Sequence, residues 1–250
     1  MTSVLVAILT SGKLEKLIRC IESVLSQTDQ IVVVCNTLDF SYVEQARKVV
    51  EAYNLEFVVT ESNGNPAKGK NSVLDIFRSR QQFNYYMQVD GDDYLTPNSL
   101  SKIATIAQQN PEFDVIGEQG GCLIYNGVVT TGNKFIIEYL ANTEGTHRLK
   151  LIELAKFLEA NLPECRMLLY SKKVVNAFNF DETFIGLEDV VGAYKLYYNT
   201  DIKFILTNED LYVYDLEENG NFYKFLSNLN EIEKVFQTLK VIVNESRIHT

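Results

Sequence analysis

"YYMQVDGDDYLTP", residues Tyr85 to Pro97, runs from an apolar strand pattern straight into three carboxylates, Asp90, Asp92 and Asp93. The apolar part reads as a strand covered on both faces. Like charges gathered at its end repel, and more strongly when withdrawn from water. Upstream, strands of the same kind recur, each followed by a helix. "SVLVAIL" precedes "GKLEKLIRCIESVLSQ", where Leu14, Leu17, Ile18, Ile21, Val24 and Leu25 recur at helical spacing. "QIVVVCN" precedes "SYVEQARKVVEAY", which opens with Ser41 and Glu44 in capping-box spacing. "LEFVVTES" precedes "AKGKNSVLDIFRSRQ", and "FNYYMQV" is the fourth strand. This alternation predicts an α/β protein with a Rossmann-like, doubly wound, mostly parallel sheet. Ligands of such sheets bind outside the carboxyl ends of the strands, where Asp90, Asp92 and Asp93 lie.

Downstream the pattern changes. "LTPNSLSKIATIAQQN" predicts a helix with Thr96 as its cap and Pro97 at its first position. "GCLIYNGVVTTG" predicts a hairpin turning at Asn126-Gly127. A helix from about Thr143 to Asn161, a short strand at "CRMLLY" and a helix from Glu188 follow. The strands "IKFIL" and "LYVYDL" come next, and "NFYKFLSNLNEIEKVFQTLKVIVNES" reads as one amphipathic C-terminal helix. No repeat, low-complexity tract or linker divides the chain, so one continuous domain of two subdomains is expected.

The bulk composition bounds the partners. A chain of 250 residues with 46% hydrophobic and 22% charged residues is globular, and its net charge of −10 disfavours nucleic acid as a partner. The cysteines, Cys20, Cys35, Cys122 and Cys165, form no CxxC pair, and His147 and His249 are the only histidines. Disulfides and a zinc site are therefore disfavoured, and a reducing, cytoplasmic setting is expected. No apolar run approaches the ~18 residues of a membrane span. "MTSVLVAILTSG" reads as a first strand rather than a signal peptide.

Three readings of the acidic cluster compete. A solvated turn is the commonest fate of Asp-Gly. A calcium loop fails, because Leu95 stands where glycine is needed and Ser101 where glutamate is needed. The third is a divalent cation, Mn²⁺ or Mg²⁺, held by Asp90 and Asp92, which cancels their repulsion and presents charge to a diphosphate.

Four blocks, in order, decide among them: "VLVAILTSGKLEKLIRCIESVLSQT", "NGNPAKGKN", "MQVDGDDYLTPNSL" and "LLYSKKVVNAFNFDETFIGLEDVVGAYKL". Together they resemble the family-two glycosyltransferases of the GT-A fold. The resemblance implies a nucleoside-diphosphate sugar donor, UDP-sugar by default, and a glycan or other hydroxyl as acceptor. It implies that Asp92 and Asp90 hold the metal, that Asp90 also meets the donor, and that Asp93 supports the turn. Asp189 is implied as catalytic base, with Glu188 beside it orienting the acceptor or the loop. On the donor side it implies Thr10, Ser11, Asn36, Asp39, Asn63, Lys70 and Asn71. The matching division is 1–95 for the nucleotide sugar, 96–216 for acceptor and base, and 217–250 for a C-terminal helical segment. The chemistry agrees: a sugar hydroxyl must lose its proton as it attacks, and a carboxylate can take it. In-line attack inverts the anomeric centre. Acidic capping of the helix "EDVVGAYKLYY" is the plain alternative for Glu188 and Asp189.

The match has gaps. Leu9-Thr10-Ser11-Gly12 lacks the family's aromatic, and Cys35-Asn36 replaces its acidic or amide pair. Asn36 is the choice for reading the base, with a turn-forming asparagine as its alternative. Lysine replaces arginine at Lys70, losing the bidentate fork. Asp215 and Glu217 stand where family members carry basic residues, leaving the diphosphate to the metal, Lys70, Lys68, Arg166 or Lys172. Tyr212 and Tyr214 read as packing residues or a sugar platform. Rival functions are a catalytically inactive nucleotide-sugar or glycan binder and a sugar nucleotidyltransferase. The latter wants a glycine-rich loop where "LTSGKLEKL" has one glycine.

Overall fold

After its first residue every position of β1 (Val4–Thr10) is buried, because the strand lies mid-sheet with helices on both faces. Leu5, Ala7 and Leu9 pack into one hydrophobic layer, and Val6 and Ile8 into the other. That two-sided burial is why the run is continuously apolar rather than alternating. The computed structural model describes residues 3–119, 122–125, 128–131, 143–161, 165–216 and 221–248. The Asn126-Gly127 turn, Glu217 and His249 lie outside the described residues.

From β1 the chain winds through α1 (Leu14–Leu25), β2 (Ile31–Cys35), α2 (Phe40–Ala52), β3 (Glu56–Val59), α3 (Pro66–Ser79) and β4 (Tyr85–Asp90). It continues through β5 (Tyr94–Leu95), α4 (Ser99–Gln109), β6 (Val115–Gln119), β7 (Cys122–Tyr125), β8 (Val128–Thr131) and α5 (Gly145–Ala160). Then come β9 (Cys165–Ser171), α6 (Lys172–Ala177), α7 (Glu188–Asn199), β10 (Phe204–Thr207), β11 (Tyr212–Leu216), α8 (Asn221–Leu226) and α9 (Leu229–Ile248).

Seven strands form one sheet in the order β10-β6-β9-β4-β1-β2-β3. All its neighbours run parallel except β9, which lies antiparallel between β4 and β6. The register of β9 on β6 slips by one residue near Ile116 and Gly117. A smaller sheet, β5-β11-β7-β8, stands beside the carboxyl end of β4. α3, α7 and α9 contribute to one hydrophobic layer, and α1, α2 and α4 to the other. Cys20 and Cys35 are buried free thiols. Among the described residues no helix is long and apolar enough to cross a membrane.

Three expected helix boundaries are corrected. Asp39, not Ser41, caps α2, its Oδ1 accepting the amides of Ser41 (3.0 Å) and Tyr42 (3.4 Å). α4 begins at Ser99 after Asn98 in the left-handed region (φ 65°), so Thr96 and Pro97 belong to the preceding turn. The C-terminal helix is two helices, because Asn228 ends one and turns its Oδ1 to the amides of Asn230 and Glu231 in the next.

Candidate active site

The acidic turn is tied down at both ends. The Gly91 amide bonds to the Leu9 carbonyl (2.7 Å), so the chain passes directly over the end of β1. A Cβ at Gly91 would sit 2.8 Å from Thr10 Cβ, which explains the glycine between the carboxylates. Asp93 is fully buried: its Oδ2 accepts the Tyr212 hydroxyl (2.7 Å) and its Oδ1 the Asp215 amide (2.9 Å). These bonds fasten the turn to β11.

One cation meets this cluster from inside. Arg166 Nη1 lies 3.3 Å from Asp90 Oδ2 and Nη2 lies 3.4 Å from Asp93 Oδ2, while the guanidinium stacks 3.8 Å from the Tyr212 ring centre. It reaches them because β9 runs backwards, which brings the start of that strand to the carboxyl end of β4. Lys172, at the far end of β9, bonds to the Gln81 carbonyl instead and is removed from the diphosphate candidates. Tyr212, buried under Arg166, is a support and not a sugar platform. Glu118, opposite Arg166 in the ladder, is buried and accepts the Leu211 amide (2.8 Å), joining the two sheets.

The three aspartates are unequal electrostatically. Burial opposes ionisation of Asp90, but Lys70 and Arg166 outweigh it and hold its carboxyl below the ordinary value. Burial and the charge of Asp92 push Asp93 well up, against the pull of Arg166. Asp92 stands exposed at the rim of the turn, yet partial withdrawal of its carboxyl from water and then the charge of Asp90 raise it too. Two further cations approach this rim from α1. Arg19 Nη2 bonds to the Asp92 carbonyl (3.0 Å) and pairs with Asp215 (2.6 Å), which also pairs with Lys16 (3.3 Å). The acidic Asp215 thus holds two basic side chains near the turn.

At the start of α7 a second acidic pair divides its roles. Leu187 takes the left-handed conformation (φ 55°), and the helix begins with Glu188 and Asp189. Glu188 is buried and receives Lys70 Nζ at 2.6 Å, whereas the Asp189 side chain is 43% exposed, with Oδ2 3.9 Å from the same ammonium. Burial works against the charge on Lys70, but Glu188, Asp189 and Asp90 outweigh it and raise its pKa. Burial raises Glu188, with Lys70 pulling the other way. One pocket of about 300 Å³, counting its open mouth, is lined by Lys70, Asp90, Arg166, Tyr170, Phe180 and Asp189. The structure therefore brings Asp90 and Asp189 to one space.

The expected donor-side residues are dispersed by comparison. Thr10 is buried and bonded to the Tyr42 hydroxyl, and Ser11 is exposed beside it. Asn36 is 3% exposed, gives its Nδ2 to the Asn65 carbonyl (3.1 Å), and leaves Oδ1 buried without a partner among the described residues. Asp39 is occupied with capping, and Asn63 accepts the Leu38 amide (3.4 Å). Asn71 turns away from these residues altogether: its Oδ1 accepts the Phe180 amide (2.8 Å) and its Nδ2 bonds to the Phe180 carbonyl (3.0 Å). The roles of Arg166, Glu118 and Asp215 were hidden from the sequence, because each depends on strands far apart along the chain.

Among the described residues no three carboxylate, thiol or imidazole groups gather to hold a metal alone. Magnesium-like cations are commonly held by one or two carboxylates, with phosphate and water completing the shell. The under-compensated Asp92, with Asp90 beside it, fits such a hard, oxygen-binding ion.

A mostly parallel seven-stranded sheet, with carboxylates at the end of its central strand and a smaller sheet beside them, defines the GT-A class of nucleotide-sugar transferase folds. The sequence profile of glycosyl transferase family 2 matches residues 3–175, and the chain belongs to that family. The crystal structure of S. aureus TarS residues 1–349 in complex with UDP superposes with a TM-score of 0.59 at 17% identity. That likeness covers 96% of this chain and 65% of the other, so the chain spans slightly less than two thirds of the TarS fragment. Mannosyltransferase PcManGT from Pyrobaculum calidifontis, in complex with GDP-Man and Mn²⁺, superposes with a TM-score of 0.57 at 11% identity. It covers 99% of this chain and 76% of its own. At such identities the likeness is one of fold. No curated protein matches the sequence.

Proposed function

We propose that the chain is a metal-dependent, inverting glycosyltransferase. It moves a sugar from a nucleoside-diphosphate sugar, UDP-sugar first, to a hydroxyl of a glycan or similar acceptor. The observation that carries this reading is the pocket in which Asp90 of β4, two residues before the exposed Asp92, and Asp189 of α7 meet. Asp189 accepts the proton of the attacking hydroxyl, its exposed carboxylate open to the pocket. Glu188, neutralised by Lys70, keeps the helix start in place rather than reacting. Asp92 and Asp90 hold Mn²⁺ or Mg²⁺, which when bound stabilises the charge growing on the departing diphosphate. Base and leaving group on opposite faces of the anomeric carbon give inversion.

Residues 1–95 serve the donor, 96–216 the acceptor and the base, and 217–250 complete the domain. Thr10, Ser11, Asn36 and Asn63 border the nucleotide, with Asp39 shaping the loop by capping α2. The buried Asn36 Oδ1 has no partner among the described residues, and an imide N–H such as that of uracil matches it chemically.

A thermal-shift screen of UDP, GDP and their sugars, with and without Mn²⁺, tests the reading. UDP is expected to raise the melting temperature by mass action, and only with the metal present. Metal-independent shifts would count against the roles given to Asp90 and Asp92, and a GDP-only response would replace the base.

A further inference from the structure

α3 spends the polar side chains of one face on a single segment, residues 175–189. Lys70 Nζ bonds to Glu188 Oε1 at 2.6 Å, lies 3.9 Å from Asp189 Oδ2, and sits 5.6 Å above the Phe180 ring. Asn71 closes a two-bond clamp on the Phe180 backbone and gives its other amide hydrogen to Glu182 Oε1 (3.0 Å). Two turns further along, Arg78 bonds to the carbonyls of Val175 (2.8 Å) and Phe178 (2.5 Å). Residues seven and eight apart share a helix face, so these three contacts form one row. The row ends at the first turn of α7, where Asp189 stands. Both donor hydrogens of Asn71 are used within it, and the Lys70 ammonium is buried against the acid that precedes Asp189. Asn71 is not directed at the pocket, and the Lys70 ammonium that lines it beside Asp90 is already engaged by Glu188.

We propose that Lys70 and Asn71 are positioning residues for Asp189, holding residues 178–188 and the first turn of α7 on α3 so that this carboxylate enters the pocket in one orientation. The proposal rests on the reading of Asp189 as base, and it removes Lys70 and Asn71 from the donor contacts that the sequence resemblance implies. Lys70 does two things at once: it pairs the buried Glu188, and it places a fixed positive charge beside the working carboxylate. Asn71 supplies no charge and acts by geometry alone.

Four variants of the full chain separate this role from donor binding: Asn71→Ala, Lys70→Met, Lys70→Arg and the double variant K70M/E188Q. The double variant removes the buried Lys70–Glu188 pair together, leaving Asp90 with Arg166 and the exposed Asp189 with water, so folding is retained. Asn71→Ala and K70M/E188Q are expected to lower kcat for donor turnover by about 100-fold, the scale of an ångström-sized misplacement. The Kd for UDP with Mn²⁺, read by calorimetry, should stay within about twofold, because the lost interaction is not a ground-state contact with the nucleotide. Lys70→Arg should recover most of the turnover. A UDP affinity weakened tenfold or more with kcat retained would overturn the proposal and return both side chains to the donor.

A second readout needs no turnover. Amide exchange across residues 178–191 should quicken by about tenfold or more in Asn71→Ala while residues 31–36 exchange as before, since local opening is read segment by segment. Unchanged exchange across 178–191 would also overturn the proposal. If the wild-type chain turns over no nucleotide sugar, the reading of Asp189 as base fails, and exchange alone still decides whether α3 holds the segment.

Discussion

At the end of β4 two of three carboxylates pair with one half-buried guanidinium; at the start of α7 two carboxylates share one buried ammonium. Each centre has a buried acid that serves as scaffold, Asp93 in the first and Glu188 in the second, and an open one, Asp92 or Asp189. The difference lies in what remains uncompensated. In the β4 centre burial, together with the charges of neighbouring aspartates, outweighs Arg166 at Asp92 and Asp93, and both hold their protons more tightly than an ordinary aspartate. On the proposed reading such a centre is completed from outside, by a cation. The α7 centre retains a single open carboxylate within reach of its ammonium, which is the inventory a general base requires. Under the proposed function, two acidic motifs that look alike in sequence thus take opposite tasks, one to bind positive charge and one to accept a proton.

Removing the open acid of each centre should break the comparison most sharply. Asp92→Asn is expected to lower donor turnover by about 10³-fold, the scale of losing a principal electrostatic stabiliser, and to erase the metal-dependent thermal shift with UDP. Asp189→Asn should lower turnover by about 10²–10⁴-fold, as loss of a general base does, yet leave that shift intact. A shared loss of the shift in both variants would mean that the two centres do not have separate tasks.

A smaller effect is expected from the scaffold of the first centre. Arg166→Met leaves buried Asp93 without its ion partner, and breaking such a pair typically costs about 3–5 kcal/mol. For a chain of this size that corresponds to a melting temperature lower by about 10 °C. A fall of under about 2 °C, less than 1 kcal/mol on that scale, would show that the guanidinium is not the main internal compensation.

The smallest effect is expected at a carboxylate outside both centres. Asp181 receives Lys195 (2.9 Å) and the Thr183 hydroxyl (2.7 Å), which hold its carboxyl at about 2, below the ordinary 3.8. Its folded pKa lies below its unfolded one, so its stabilisation is complete above about pH 4 and disappears as pH falls through 2. Urea midpoints of wild type and Asp181→Asn should therefore differ at pH 5 and converge near pH 2. A difference that persists unchanged to pH 2 would remove Asp181 as the reference for a simply paired acid.

The first four strands were legible because each is covered on both faces and reads as an uninterrupted apolar run. The position of the acidic turn followed from them. The strand at Cys165 to Ser171 was legible as a strand but not in its direction, since periodicity carries no sign. With direction unknown, Arg166 could be named among several cations but not placed on Asp90 and Asp93. Glu118 gave no signal, because a single acid in "DVIGEQ" becomes meaningful only when the Leu211 amide arrives from another part of the chain. Lys70 and Asn71 show the converse limit. Their motif marked them as important, while the direction of their side chains is set by the packing of α3 against residues 175–189. Local chemistry named the acids, and tertiary register chose their partners.

The one-residue slip between β9 and β6 has a consequence for the pocket. Ile116 pairs with Leu169 but Gly117 pairs with Met167, so Leu168 is an extra residue in the ladder. Side chains alternate between faces with a period of two, and an insertion of this kind transposes everything on its far side. A regular ladder that kept Leu168 would set Met167 opposite Glu118 and turn the guanidinium before it to the layer of α3 and α7, away from Tyr212. The polarity of the pocket is thereby decided by the parity of a strand.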